Sequence, residues 1–170
     1  LQDLKFQSEC YDIIWATHAL YAIPKQDLEL ALRCFVSAIR GSDTDKNNGS
    51  GFIAHADVDS HYLKFYEHYL KGFKKGVGTP YTDSKQIINI LEKLGMTLEI
   101  RKITYKNEAP ESMKFQVERY LQRCLFDDTL SLEEMMDNSI TGPYLKTCRK
   151  VGIWQFGQSV SMIFINYPTS

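Results

Sequence analysis

Three residues stand where an α/β protein usually places its chemistry. Thr17, His18 and Tyr21 follow the run Tyr11-Asp12-Ile13-Ile14-Trp15-Ala16 and precede Pro24. The run reads as a buried central strand, and ligands of open α/β sheets gather at strand carboxyl ends. His18 there could be a general base, a substrate contact, or a buried histidine with satisfied hydrogen bonds. Tyr62 and Tyr66 share one helix face by their i, i+4 spacing. With Tyr21 they could wall a pocket, and aromatic walls suit a cationic or amine-bearing ligand through cation–π attraction. The same spacing also serves to pack a helix on a sheet.

Other motifs point away from chemistry. His55, Asp57, Asp59 and His61 fall at two-residue spacing, which on a strand would put four metal ligands on one face. Asp57 onward reads instead as a helix cap, so a solvated loop and cap is the expectation and no metal is expected. Gly49-Ser50-Gly51 precedes a strand and Gly76-Val77-Gly78 follows a helix. Neither has the strand–loop–helix setting that places a phosphate on a helix N-terminus, and both read as turns. The G-x-S-x-G elbow of a serine nucleophile is missing. Cys10, Cys34, Cys124 and Cys148 form no CxxC pair. They read as buried free thiols in a reducing, cytoplasmic setting.

The elements that must position these residues alternate strand and helix. Residues 11–17 form the first strand. Pro24 suits the first turn of a helix carrying Leu28, Leu32, Phe35, Val36 and Ile39 as one stripe, ended by Arg40 and Gly41. Residues 41–51 read as a polar, mobile loop. Residues 52–56 form a second strand, and the next helix carries Tyr62, Phe65, Tyr66, Tyr69 and Leu70. Thr82 or Asp83 caps a helix with Ile87, Ile88, Leu91 and Leu94 inward, stopped by Gly95. Residues 96–105 read as a strand, 112–126, 131–137 and 143–150 as helices, and 152–167 as a last strand. This order predicts an α/β fold in a single domain spanning 1–170. Its sheet is expected to be mostly parallel with an antiparallel edge strand, and its helices to lie on both faces.

The chain has 170 residues and a net charge of −1. That balance argues against a nucleic-acid binder working by broad phosphate neutralisation. No apolar run approaches the ~20 residues of a membrane span, and the first residues, Leu1-Gln2-Asp3-Leu4-Lys5, are too polar for a signal peptide. The chain begins without Met, which reads as a processed or excised piece.

Tyr11 through Tyr21, with the helix after it and the strand at Gly51-Phe52-Ile53-Ala54, resembles the fourth-strand motif and following elements of class I S-adenosylmethionine-dependent methyltransferases. The strand pair 97–105 and 153–167 is similar to that family's antiparallel edge. More narrowly, Tyr81 to Met96 and Phe156 to Ile165 look like segments of histamine N-methyltransferase and its relatives. The resemblance covers essentially the whole chain through the order and spacing of its motifs.

The resemblance implies a partial Rossmann-like methyltransferase sheet, S-adenosyl-L-methionine as cofactor, and methyl transfer to a small acceptor, an amine nitrogen above all. Thr17 and His18 match positions near the cofactor. His18 stands where relatives have a substrate-contacting Gln, and Gln158 stands near a substrate-holding Asn. Tyr62 and Tyr66 fall near aromatic residues of the pocket wall, with Tyr21 beside them. These departures favour a small amine related to histamine over histamine itself. The family's glycine-rich loop and ribose-binding acidic residue have no counterpart in the chain, which implies the C-terminal portion of a methyltransferase domain. A rival reading is a non-catalytic module that needs or regulates a partner chain and self-associates through an exposed sheet edge. An unrelated α/β nucleotide enzyme, such as an oxidoreductase, is a third.

Overall fold

The computed structural model of the protein describes residues 10–21, 23–41 and 49–167. Most of the polar loop expected at 41–51 lies outside them. In chain order the elements are β1 (Ile13–Thr17), α1 (Leu28–Ala38), β2 (Ser50–Ala56), α2 (His61–Phe73), α3 (Ser84–Lys93), β3 (Thr97–Pro110), α4 (Lys114–Leu125), α5 (Leu132–Asp137), α6 (Thr141–Thr147), β4 (Arg149–Lys150) and β5 (Ile153–Asn166). Strand order is β1-β2-β5-β3, with β4 also beside β5. The chain divides into two compact units. The first draws its described residues from Leu1–Asp57, Thr82–Ile103 and Val160–Ser170, the second from Val58–Tyr81 and Thr104–Ser159.

In the first unit, β1 runs parallel to β2, with Thr17 opposite Ala54. β2 runs antiparallel to β5, with Ile53 opposite Ile163. Ile53, Ile163 and Ile165 are fully buried and share one face. Leu28 and Leu32 of α1 and Ile87 and Leu91 of α3 fill the same cluster. The α3 N-terminus is capped by Asp83, whose carboxylate accepts from the Gln86 amide at 3.0 Å. Asp57, just past β2, is buried and pins three elements. Its carboxylate accepts from Ser84 Oγ of α3 at 2.5 Å and Ser161 Oγ of β5 at 2.6 Å, and pairs with Lys102 Nζ of β3 at 3.0 Å.

Several expectations need correction here. Of the strand pair expected at the edge, β3 ends the described order and β5 lies between β2 and β3, with Gln158–Ser161 buried in succession, as an interior strand requires. Of the three described registers one is parallel and two are antiparallel, so the sheet is mixed. Among the described residues β1 is not central: it ends the strand order, and its outward Ile13 and Trp15 are 70% and 76% exposed. α1 and α3 both pack in the Ile53/Ile163 cluster. The apolar composition of β1 suits a strand covered on both sides, and among the described residues only one side is.

In the second unit, α2, α4, α5 and α6 enclose Phe65, Leu121, Met135 and Leu145, with Trp154 and Phe156 of β5 in the same cluster. α5 opens on a reciprocal cap: the Ser131 hydroxyl accepts from the Glu134 amide, and the Glu134 carboxylate accepts from the Ser131 amide. A Cβ on Gly142 would meet the Met136 carbonyl at 2.1 Å, so only glycine lets α6 start this close to α5. The helix expected over 143–150 ends early because Lys150 pairs with Ile153 across Val151-Gly152, where Gly152 takes φ 78°. Cys124 and Cys148 are buried free thiols, whereas Cys34 is half-buried and Cys10 exposed. Among the described residues no helix is long and apolar enough to cross a membrane.

Replacing Asp57 by Ala removes the acceptor of two buried hydroxyls. The expected loss is about 2–4 kcal/mol of unfolding free energy by urea titration. An unchanged midpoint would show that the three elements hold together without the carboxylate.

Candidate functional site

The carboxyl end of β1 is built by the β1–β2 pairing. The His18 amide donates to the Ala54 carbonyl at 3.0 Å, which carries the ladder one residue past Thr17. His18 then turns into the left-handed region with φ 51°, a strained conformation for a residue with a side chain. That turn leaves Thr17 and His18 exposed. His18 Nδ1 lies 2.6 Å from the Tyr21 hydroxyl, and the Ala56 amide donates to the same oxygen at 3.3 Å. Tyr21 itself is only 5% exposed, its ring 4.1 Å from that of His55. His55 Nε2 lies 2.8 Å from the Thr82 carbonyl, which can only accept, so Nε2 carries the proton. His55 Nδ1 is buried without a hydrogen-bond partner. Burial lowers the His55 pKa to about 4 and lowers that of His18, so both imidazoles are neutral at pH 7.

Beside Thr17, β1 and α1 border a groove of about 400 Å³ lined by Trp15, Ala16, Leu20, Leu30, Ala31 and Phe35, among others. Its lining holds one carboxylate, Asp27, and no Lys or Arg.

Tyr62, Tyr66 and Gln158 belong to the second unit. The i, i+4 spacing brings Tyr62 and Tyr66 together, and both stack on Tyr81, at ring distances of 5.1 and 3.6 Å. The Tyr81 hydroxyl donates to the Cys124 carbonyl at 3.2 Å. Burial pushes the Tyr62 phenol up to about 12, so it is a hydrogen-bonding group and not a base. Gln158 donates through Nε2 to the Tyr120 hydroxyl at 2.8 Å. It borders a second cavity of about 330 Å³ with Asp59, Thr104, Tyr105, Lys106, Gly157 and Ser159.

The structure thus brings His18 and Tyr21 together, and Tyr62 and Tyr66 together. Tyr81, Tyr120 and Tyr144 carry much of the surrounding polar geometry, and no spacing in the sequence singles them out. The two-residue series disperses: His55 goes to Thr82, Asp57 to its hydroxyls and Lys102, Asp59 to Lys64 at 3.3 Å, and His61 to Tyr144 at 2.9 Å. Only Asp59 is solvated; His55, Asp57 and His61 are buried, contrary to a wholly solvated loop and cap. Among the described residues no three His, Cys, Asp or Glu come together as metal ligands. His61 lies in a box of Phe65, Tyr120, Tyr144 and Phe156, and burial lowers its pKa to about 3.

Both buried histidines are neutral when folded, while the unfolded chain protonates them near 6.5. Stability is therefore expected to be independent of these groups above that pH. It should fall as pH drops from 6.5 towards 4, by roughly 3 kcal/mol from His55 alone. Urea midpoints across that interval check the sign; a flat profile would mean that the folded protein holds these rings charged.

No protein-family model matches the chain, and no curated protein matches it. Solved structures do, among them two bacillar proteins. A proposed methyltransferase of Bacillus halodurans gives a TM-score of 0.58 at 11% identity, over 99% of this chain and 69% of that one. The YcgJ protein of Bacillus subtilis gives 0.55 at 11% identity, over the same shares of the two chains. At such identity the likeness is one of fold: the chain has a methyltransferase-like α/β fold, a mixed sheet with helices.

Proposed function

We propose that this chain takes part in S-adenosyl-L-methionine-dependent methyl transfer to a small acceptor, at an amine nitrogen. The observation that carries the reading is the methyltransferase-like fold over 99% of the chain. The exposed Thr17 and His18 at the carboxyl end of β1 stand where such a fold takes its ligand.

The donor's sulfonium is cationic, which gives a test of fit. Among the described residues the lining of the groove beside Thr17 holds no Lys or Arg, and burial favours the neutral form of His18, so this lining sets no cation against a sulfonium. Thr17 and His18 fit the group and are the residues proposed to hold it. When bound, S-adenosyl-L-methionine supplies a methyl group on a positively charged sulfur. The chain's own part is positioning and exclusion of water, because a neutral amine needs little base assistance. Tyr62 and Tyr66 offer aromatic faces already held by stacking on Tyr81, and Gln158 offers an amide held by Tyr120. These three are the proposed acceptor contacts of the second unit; in the first, Tyr21 stands behind His18. His18 and Gln158 suit a small amine other than histamine, and the buried free thiols Cys124 and Cys148 suit a cytoplasmic setting.

Calorimetric titration of S-adenosylhomocysteine into the folded chain is expected to give micromolar binding. Thr17→Arg should weaken binding of S-adenosyl-L-methionine about tenfold or more by placing a cation beside its sulfonium, and should weaken S-adenosylhomocysteine, whose sulfur is an uncharged thioether, less. A folded chain that binds nothing would remove the donor-binding reading.

A second reading, a non-catalytic module that pairs with another chain, is favoured by one observation. Ile13 and Trp15 are exposed on β1, the strand at the end of the order. It predicts a dimer or larger species by light scattering that Trp15→Ser dissociates. A monomer at all concentrations would count against self-association.

A further inference from the structure

The chain has six arginines, and four of them pair with a carboxylate at 2.6–3.0 Å: Arg33 with Glu29, Arg40 with Asp12, Arg101 with Glu99 and Arg149 with Glu111. The other two are Arg119 and Arg123. Among the described residues neither of their side chains has a hydrogen bond or an ion pair. They stand one turn apart on α4, away from its buried Val117, Leu121, Cys124 and Leu125. Like charges at that spacing repel each other, and no described carboxylate lies within ion-pair distance to offset it.

A helix C-terminus gives arginine an ordinary task, which is to meet the last carbonyls. Here other groups fill it. The Gln122 carbonyl accepts from the Asp127 amide at 3.2 Å, and the Arg123 carbonyl from the Phe126 amide at 3.4 Å. The Cys124 carbonyl accepts from the Tyr81 hydroxyl at 3.2 Å.

Both arginines border a cavity of about 360 Å³, with Gln122, Phe126, Asp127 and Asp128 as the rest of its wall. Gln122 Nε2 donates to the Asp128 and Leu130 carbonyls at 3.2 and 2.9 Å, which holds the loop below the helix. Asp127 accepts from the Thr129 hydroxyl at 2.5 Å and the Tyr69 hydroxyl at 2.6 Å, and meets Lys74 Nζ at 3.6 Å. Asp128 is exposed on the same wall. A ligand charged along its whole length would meet that carboxylate, and one with a single anionic end need not. Phe126 supplies an apolar side. Its φ of 50° lies in the left-handed region, where a helix end favours glycine, and its ring is 75% exposed. Tyr81 meets that ring edge-on at 6.3 Å. Folding gains little from a strained, outward aromatic side chain.

We propose that this cavity binds a small ligand carrying one oxyanion group, a phosphate or a carboxylate, on an aromatic body. The two guanidinium groups take the oxyanion through paired N–H donors, and the Phe126 ring covers the aromatic part. The site belongs wholly to the second unit and stands independently of the methyl-transfer reading.

Ligand-observed NMR titrations with phenyl phosphate, benzoate and inorganic phosphate test it, in ~0.15 M NaCl so that loose surface attraction is screened. Phenyl phosphate or benzoate is expected to bind, and the tighter of the two identifies the oxyanion. Arg119→Gln and Arg123→Gln should each weaken that binding about tenfold. Phe126→Gly should weaken it about tenfold as well and leave inorganic phosphate unaffected. The same variant should not lower the urea midpoint, because glycine takes the left-handed turn without strain. Failure of both aromatic probes to bind overturns the proposal, as does binding that survives loss of both arginines. A Phe126→Gly chain that loses stability but keeps its affinity overturns the part given to the ring. No methyl donor is in these samples, so every outcome leaves the methyl-transfer reading where it stands.

Discussion

The antiparallel pairing of β2 with β5 is the constraint on which the first unit depends. It sets Ile53 against Ile163 in a fully buried cluster, and it brings Ser161 to the Asp57 carboxylate. β1 has no described strand neighbour other than β2, so the position of Thr17 and His18 is inherited from that same pairing. A one-residue slip of β2 would turn Ile53 and His55 to the opposite face. The Tyr21–His55 ring contact and the seat of the Tyr21 hydroxyl on the Ala56 amide would both be lost.

Each unit contains a buried neutral histidine among aromatic rings, and the two are held differently. His55 has one nitrogen on a main-chain carbonyl, which fixes its tautomer, and its ring face supports Tyr21. His61 has one nitrogen beside the Tyr144 hydroxyl, a group that both donates and accepts, and four rings around it. In both, the unpartnered second nitrogen is a desolvation cost that the core tolerates only while the ring is uncharged. These residues read as order-giving parts of the interior. Their sequence spacing suggested exposed ligands because alternation by two says nothing about where a strand ends.

Much of the fold was legible from local signals. The stripe of Leu28, Leu32 and Phe35, the Asp83 cap, and the alternation around Ile163 each announce an element whose partner is nearby or whose face is wholly apolar. Long-range order was not legible. Nothing in β5 alone says that it inserts beside β2, because apolar residues on both faces suit any interior strand. The short β4 was hidden for another reason: it is made by the turn at Gly152, and its two residues carry no periodicity. Of the site, the strand-end position of His18 and the Tyr62–Tyr66 pairing followed from spacing. The aromatic seats of Tyr81 and Tyr120 did not, since stacking partners from other elements leave no local pattern.

The first unit is assembled from three separated stretches, with Val160–Asn166 inserted beside β2. That arrangement has a consequence for synthesis on the ribosome. A nascent chain that has not yet reached β5 holds β2 with one edge bare and Ile53 without its opposite number. The second unit's helices are made in between and can close around Phe65 and Leu121 first, through contacts nearer in sequence. The growing polypeptide therefore carries an unfinished sheet for most of its elongation, and this interval is when association with a chaperone or with another nascent copy has most to act on.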